Sequence, residues 1–481
     1  MLRQEQIMTY PQIIQGGMGV AISTWRLANA VSRSGQLGVV SGTGVAIVLI
    51  ARLMDGDEGG HMRRALAHFP YPQVAERIIE RYYVPGGKAP GSAYRRPPMW
   101  TLRPPAELEA LTVAANFVEV WLAKEGHGNP VGINLLEKVQ MPTMASLYGA
   151  MLAGVDYVIM GAGIPIQIPG ILDQLAQHQP VRYQLDVTGF PGDDVYLHFN
   201  PQALFPGLAE RVGALRRPLF LPIVSSVVLA LALLKRSSGA VNGFVVELPT
   251  AGGHNAPPRG QYPTNERGEP IYGEKDVVDP ARIAALGLPF WLAGGYGSHE
   301  RLQEALAVGA QGIQVGTAFA FCEESGMTAD IRWQVLRQAQ AGTIDVLTDG
   351  SASPTGFPFK VVNVPGTVAD PALYAQRSRI CDIGYLRQLY RDENGSLHFR
   401  CAAEPLSQYV KKGGREEDTV GRKCLCNHLG AAAGFSQARS DAYAELPLVT
   451  AGDDVVNVGQ FLPPGAATYS AQDVLNALLN A

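Results

Sequence analysis

Eight short runs rich in Val, Ile and Phe alternate with helical stretches along the first 318 residues, and this rhythm constrains the fold more than any other feature of the chain. The runs are QIIQGG (12–17), LGVVSG (37–42), PVGINLL (130–136), DYVIMGA (156–162), LFLPIVSS (219–226), GFVVEL (243–248), PFWLAGG (289–295) and GIQVGTA (312–318). Continuous apolar runs mark strands buried on both faces, as a parallel sheet covered by helices requires. Eight βα units predict an α/β protein built on a closed (β/α)8 TIM barrel rather than an open sheet. The intervening helices are punctuated as such units should be. TWRLANAVSRSG stops at Gly35 and HERLQEALAVG at Gly309, each where a helix-ending glycine belongs.

A chain of 481 residues exceeds what one core fills, so a large domain with an appendage is expected. The barrel is assigned to residues 1–345, with an insertion at 55–129 and a cysteine-containing C-terminal extension at 346–481. The insertion holds GGHMRRALAHF, a YPQVAERIIERYY helix and the Pro-rich RRPPMWTLRPP. It is longer than a barrel connection needs, and reads equally as a lid or substrate wall and as an arm for homo-oligomer contacts. A second insertion, residues 181–217, carries RYQLDVTGF and DVYLHF runs expected to pair as a hairpin.

With 17% charged residues and a net charge of −4, the chain has no electrostatic footprint for nucleic acid, and its basic stretches are balanced by nearby acids. The apolar stretches VVLALALL (227–234) and VAIVLIARLM (45–54) are shorter than the ~20 residues of a membrane span, and both are expected as buried helices. The polar start, MLRQEQIMTYPQIIQ, does not have the form of a signal peptide, and five cysteines do not make a disulfide framework. A cytoplasmic enzyme acting on a small molecule is the expectation.

Two consecutive strand ends, WLAGGYGSHERL and IQVGTAFAFCEESG, carry glycines ahead of a helix. The loops after strands seven and eight are a barrel's habitual phosphate site, so Gly294, Gly295, Gly316 and Thr317 are candidates for an anion cradle; the alternative is that they only make tight turns. The sixth run ends in TAGGHNAPPRG, which sets His254 beyond a strand's C-terminal edge, behind two glycines that let the backbone approach a ligand. Histidine is suited to moving a proton near neutral pH, and the barrel mouth is where such chemistry occurs. The other eight histidines are read as structural. Cys381, Cys401, Cys424 and Cys426 are metal-ligand candidates, for zinc or an iron–sulfur cluster, against the alternative of free buried thiols; Cys322 is read as packing.

IIQGGMG on the first strand, AGGH after the sixth, LAGGYG on the seventh and GAQGIQVGTAF on the eighth together resemble the nitronate monooxygenase family, formerly 2-nitropropane dioxygenases. The family shares its barrel with FMN-containing enoyl-acyl-carrier-protein reductases. The resemblance covers roughly residues 10–365. It implies FMN as cofactor, with Gly17, Met18 and Gly19 against the flavin ring and Asn134 and Ser225 at its polar edge. Gly294, Gly295, Tyr296, Gly316 and Thr317 would then hold the phosphate, Gly253 would border the cofactor, and His254 would meet the substrate. Three departures stand out. Thr250 replaces the glutamate common before AGGH, leaving Glu247 as the nearest acid; Asn255, Ala256 and two prolines follow the histidine; and the chain is longer than usual for the family. The expected activity is oxidation of an alkyl nitronate or related acidic carbon substrate. The alternatives are an NAD(P)H-dependent FMN reductase of enoyl thioesters or quinones, and a non-catalytic flavin-binding partner protein.

Overall fold

The computed structural model describes residues 10–439 and 443–480. All eight apolar runs form strands: β1 (Ile13–Gln15), β2 (Gly38–Ser41), β3 (Val131–Leu136), β4 (Tyr157–Gly161), β5 (Leu219–Val224), β6 (Phe244–Glu247), β7 (Phe290–Ala293) and β8 (Gly312–Val315). Each pairs in parallel with its neighbour in sequence from β2 through β8, and β8 pairs back onto β1. The seam between β1 and β2 is closed by a parallel bridge from Ile14 to Leu37, where Leu37 N–H donates to Ile13 O at 3.0 Å and Gln15 N–H to Leu37 O at 2.9 Å. The sheet is therefore the expected (β/α)8 barrel, with no strand edge left unpaired.

Its interior is a packed core. Ile14, Leu37, Val39, Tyr157, Ile159, Leu221, Val245, Trp291 and Ala293 form one buried cluster, and Trp291 donates its ring N–H to Pro11 O at 2.8 Å. The strands come close enough to neighbouring backbone to require glycine at two points. A Cβ on Gly38 would overlap the Ala28 backbone, and one on Gly312 would overlap the Gln12 backbone.

The outer ring begins with α1 (Trp25–Arg33), capped by the Thr24 side chain and ended by Gly35 in the left-handed region at φ 81°. Next come α2 (Val45–Met54) and α3 (Ala106–Ala123). Although α3 lies within the 55–129 insertion, it is apolar nearly all round and has 14 buried residues. It packs between α1 and α4 (Thr143–Leu152), so that part of the insertion belongs to the ring itself. Glu119 of α3 fixes this arrangement. Its carboxylate accepts from Trp25 N–H at 2.8 Å and pairs with Arg52 of α2 at 2.7 Å, satisfying an orphan donor at the start of α1.

Further along, the expected hairpin forms between Val181–Gln184 and Tyr196–Phe199. The stretch 227–234, expected as a buried helix, becomes α5 (Val227–Arg236), which buries only Val227, Ala230 and Leu233. Val228 is 68% exposed, because a ring helix turns only one stripe toward the strands. By contrast α2 is buried almost throughout, as expected.

After α6 (His299–Ala307) and β8, the chain travels across the barrel mouth through α7 (Leu425–Ala432) before α8 (Ala471–Leu479) returns to the ring. There α8 packs against α1 and α6, burying Val474, Leu475 and Leu478, while Leu478 O contacts His299 Nδ1 at 3.0 Å. The extension thus supplies the helix that completes the ring. Among the described residues no helix is long and apolar enough to cross a membrane.

Gly312→Ala should lower stability by at least about 1–3 kcal/mol through forced backbone displacement. Gly430→Ala in α7, where an added Cβ meets nothing within 4 Å, should instead be neutral or stabilise by up to about 1 kcal/mol. Urea midpoints of both variants against the parent test this difference.

Candidate active site

The C-terminal ends of the barrel strands open into one cavity. Its walls come from Gly16–Val20 after β1, Asn134 on β3, Glu247 on β6, Ala251–His254 after β6, Ala293–Tyr296 after β7 and Gln314–Thr317 at β8. Of the residues expected at a cofactor site, Gly17, Met18, Gly19, Asn134, Gly253, Gly294, Gly295, Tyr296, Gly316 and Thr317 all line it, together with His254. Ser225 is not among the lining residues; its carbonyl instead accepts from the Arg259 guanidinium at 3.4 Å.

The roof is the C-terminal extension, through Tyr385, Leu386, Leu425, Cys426, Leu448, Thr450, Ala451 and Asp454. No residue from 55–129 lines the cavity, so of the two roles open to that insertion the lid is filled instead by the tail. Three hydrogen bonds tie the roof down. Gly253 N–H donates to Thr450 Oγ1 at 2.9 Å, Gly452 N–H to Thr317 Oγ1 at 3.0 Å, and Asp453 N–H to Thr250 O at 3.0 Å. Lys360, buried, reaches Asp453 at 2.6 Å.

The glycine-rich loops are built for close approach. Gly294 and Gly295 sit at φ 87° and 72°, a region costly for other residues, and a Cβ on Gly294 would meet Leu248 O at 2.9 Å. Gly17 lies so near Asn134 that a Cβ there would overlap the Asn134 side chain. Beside the cradle, the buried Thr250 Oγ1 has no partner within the described protein, and on β8 the same is true of Gln314 Oε1. Such orphaned polar atoms call for a ligand or water. Thr317, however, already uses its hydroxyl: it accepts from Gly452 and is bonded to the Asp454 side chain. Burial raises the Asp454 carboxyl above its ordinary range, which favours the neutral form beside an anion.

His254 is fixed on two sides. Its Nε2 lies 2.7 Å from Ser353 Oγ, and its ring meets Phe359 edge-on at 4.9 Å. Ser353 is fully buried and its Oγ also lies 2.8 Å from Thr355 Oγ1, so the hydroxyl that holds the imidazole is itself held. Burial, with a smaller contribution from Lys138, pushes the His254 pKa down to about 4. The imidazole is therefore neutral at neutral pH. Glu247 faces the same cavity, and burial pushes its carboxyl up to about 8, leaving it mostly protonated at pH 7. In the sequence Glu247 is the acid nearest AGGH, and its place at the C-terminal end of a barrel strand is the signal for a mouth-facing role. Ser353 and Asp454 carry no local signal, being brought in by the fold of the tail.

Residues 215–354 match the family model described as nitronate monooxygenase. Over this segment the chain is similar to that family. A probable nitronate monooxygenase of Staphylococcus haemolyticus is 35% identical over 105 residues, covering 21% of this chain and 28% of the relative. The nitronate monooxygenase of Pseudomonas aeruginosa is 34% identical over 131 residues, 27% of this chain and 35% of the relative. The matched stretch thus spans about a third of these relatives' length. Among solved structures, FabK from Thermotoga maritima aligns over 98% of this chain and 92% of its own at 15% identity, with a TM-score of 0.45. The matched segment runs from just before β5 past β8 to residue 354 and contains Glu247, His254, Ser353 and both glycine loops.

The raised Glu247 pKa has a thermodynamic sign. Between its ordinary value of 4.5 and about 8 the unfolded chain has released this proton while the folded chain keeps it, so stability falls as pH rises through that window. Glu247→Gln removes the effect. The thermal midpoint of the variant should gain on the parent from pH 5 to pH 8.5, measured on cofactor-free protein; a difference independent of pH would contradict the assignment.

Proposed function

We propose that this chain is an FMN-dependent oxidoreductase that oxidises an alkyl nitronate or a related acidic carbon substrate. The observation that carries the reading is the joining of two features in one cavity: a neutral, anchored His254 and a glycine cradle beside orphaned polar atoms. The family match over residues 215–354 supports it.

The residues present fit FMN. Backbone N–H groups of Gly294, Gly295 and Gly316 would take the phosphate, with Asp454, whose carboxyl burial raises above its ordinary range, beside it. Gly17, Met18 and Gly19 would meet the ring, with Asn134 and Gln314 as its polar neighbours. Bound there, FMN supplies the electron-accepting capacity that no side chain of the cavity has.

The chain's own part is positioning and charge control. A nitronate is already deprotonated, so it needs orientation more than a base. His254 meets this need with Nε2 held by Ser353, leaving Nδ1 for the substrate. With Glu247 protonated, the cavity opposes an anion less than an ionised carboxylate there would. Leu136, Val139, Ile223, Leu386, Leu425 and Leu448 provide an apolar wall suited to an alkyl chain. Residues 1–345 would form the cofactor-binding unit, roofed by 346–481.

Purified protein should carry flavin absorbance and consume oxygen with an alkyl nitronate. His254→Ala should lower kcat/KM by about a hundredfold, with Ser353→Ala intermediate because it loosens the imidazole without removing it. Gly294→Ala should weaken FMN binding at least about tenfold, or about 1.4 kcal/mol. A protein that binds no FMN would overturn the proposal. Unchanged turnover in His254→Ala would remove the histidine from it, and anaerobic bleaching of the flavin by NAD(P)H would replace the oxidase reading with a reductase.

A further inference from the structure

The tail holds two further groups of polar side chains. Cys381, Cys401, Cys424 and Cys426 meet around a cavity of only about 10 Å³, too small for a cluster, and among the described residues no group of three or more His, Cys, Asp or Glu is placed to hold a metal. They are free thiols, and the zinc or iron–sulfur ligation expected of them has no built site here. The other group begins at the hydroxyl that holds His254, which is the middle of a chain. His254 Nε2 lies 2.7 Å from Ser353 Oγ, and Ser353 Oγ lies 2.8 Å from Thr355 Oγ1. Ser353 is fully buried, and the Thr355 N–H also donates to its Oγ at 3.2 Å. The Arg422 guanidinium fixes the segment from behind, donating to Ser351 O at 2.9 Å and to Ser353 O at 2.6 Å.

The two ends of this chain stand in different cavities. His254 lines the main one, of which neither Ser353 nor Thr355 forms a wall. Thr355 instead lines a groove of about 180 Å³ with Lys138, Gln140, Asp186, Arg387 and Gln388. That space is large enough for several waters, and its polar walls can hold them. Tyr385 and Leu386 line both cavities and separate them. Thr355 is half-buried, and among the described residues its hydroxyl bonds to no protein group but Ser353. One orientation satisfies every group. With Nε2–H and the Thr355 N–H donating to Ser353 Oγ, the Ser353 proton goes to Thr355 Oγ1 and the Thr355 proton to groove water. The same orientation leaves the Nδ1 lone pair free.

We propose that His254, Ser353 and Thr355 form a proton relay that carries the proton of a carbon acid from the main cavity to the groove beyond the tail. The relay rests on the oxidoreductase reading above for its substrate, a neutral nitroalkane or similar carbon acid. The C–H bond breaks with its electron pair staying on the substrate, and the proton goes to Nδ1. Nε2 passes its own proton to Ser353 Oγ, Ser353 passes one to Thr355 Oγ1, and Thr355 passes one to groove water. The imidazole begins and ends neutral. Burial and Lys138 both disfavour an imidazolium here, pushing the pKa down to about 4, so a histidine that kept the charge would be a weak base. Handing the proton on removes that cost. When Nδ1 later gives its proton to a departing anion, the same hydroxyls reverse and return one to Nε2.

The first measurement needs neither substrate nor flavin. Nuclear magnetic resonance of full-length protein carrying isotope-labelled histidine should show His254 with its proton on Nε2. Exchange of that proton with heavy water should slow at least about tenfold in Thr355→Val and recover in Thr355→Ser. In turnover, Thr355→Val should lower kcat for a neutral nitroalkane at least about tenfold more than kcat for its preformed nitronate, because only the former gives up a carbon-bound proton. A His254 protonated on Nδ1 instead would overturn the relay, as would unchanged exchange in Thr355→Val or an equal loss on the two substrates. Parent protein that oxidises neither substrate would sink the oxidoreductase reading, and the exchange rates would still decide the relay.

Discussion

The arrangement of the mouth depends on the tail's passage over the barrel at residues 450–453. Three main-chain N–H groups join this segment to the loops after β6 and β8, and the buried Lys360 anchors it through Asp453. The glycines at 252, 253 and 316 contribute no side chains of their own, so the strap adds contacts that these positions lack. The strap therefore does for the mouth what side-chain packing does for the barrel interior. It also explains why His254, on a loop, has a defined orientation: Ser353 and Phe359 on the same tail grip the imidazole from two directions.

That enclosure sets the electrostatics. Taking an imidazole and a carboxyl out of water favours the neutral form of each, so His254 is pushed down and Glu247 up by the same cause. Both shifts move the groups away from charge near pH 7. A nearly uncharged, partly apolar mouth is suited to reactions in which charge sits on the substrate and cofactor, with the protein supplying fixed dipoles.

The barrel was legible because its signals are local. Each strand is a compact apolar run, and the glycines after β7 and β8 stand next to the strands they end. His254 could be placed for the same reason, since the end of β6 lies directly before it in sequence. What escaped is long-range. α3 was hidden in an apparent insertion because nothing in AELEALTVAANFVEVWLA states which neighbours it packs between, although its apolar surface on all sides was readable as burial. The length of 55–129 suits a lid and an oligomer arm equally, whereas the contacts that make the tail the roof join residues nearly 200 apart, such as Gly253 and Thr450, separated by 197 positions. Ser353 stands 99 residues from the histidine it holds. The cysteine cavity is an intermediate case: the residues were conspicuous, their meeting was not.

The return of α8 to the ring makes the barrel discontinuous in time as well as in sequence. Residues 471–479 fill the gap between α6 and α1, long after β8 has left the ribosome. Until they arrive, the growing chain can pair its strands but keeps an uncovered apolar groove beside α1, and the strap at 450–453 that shapes the mouth is made only shortly before them. Synthesis is vectorial, so completion of the scaffold and assembly of the site become nearly the same event, both waiting on residues 450–479.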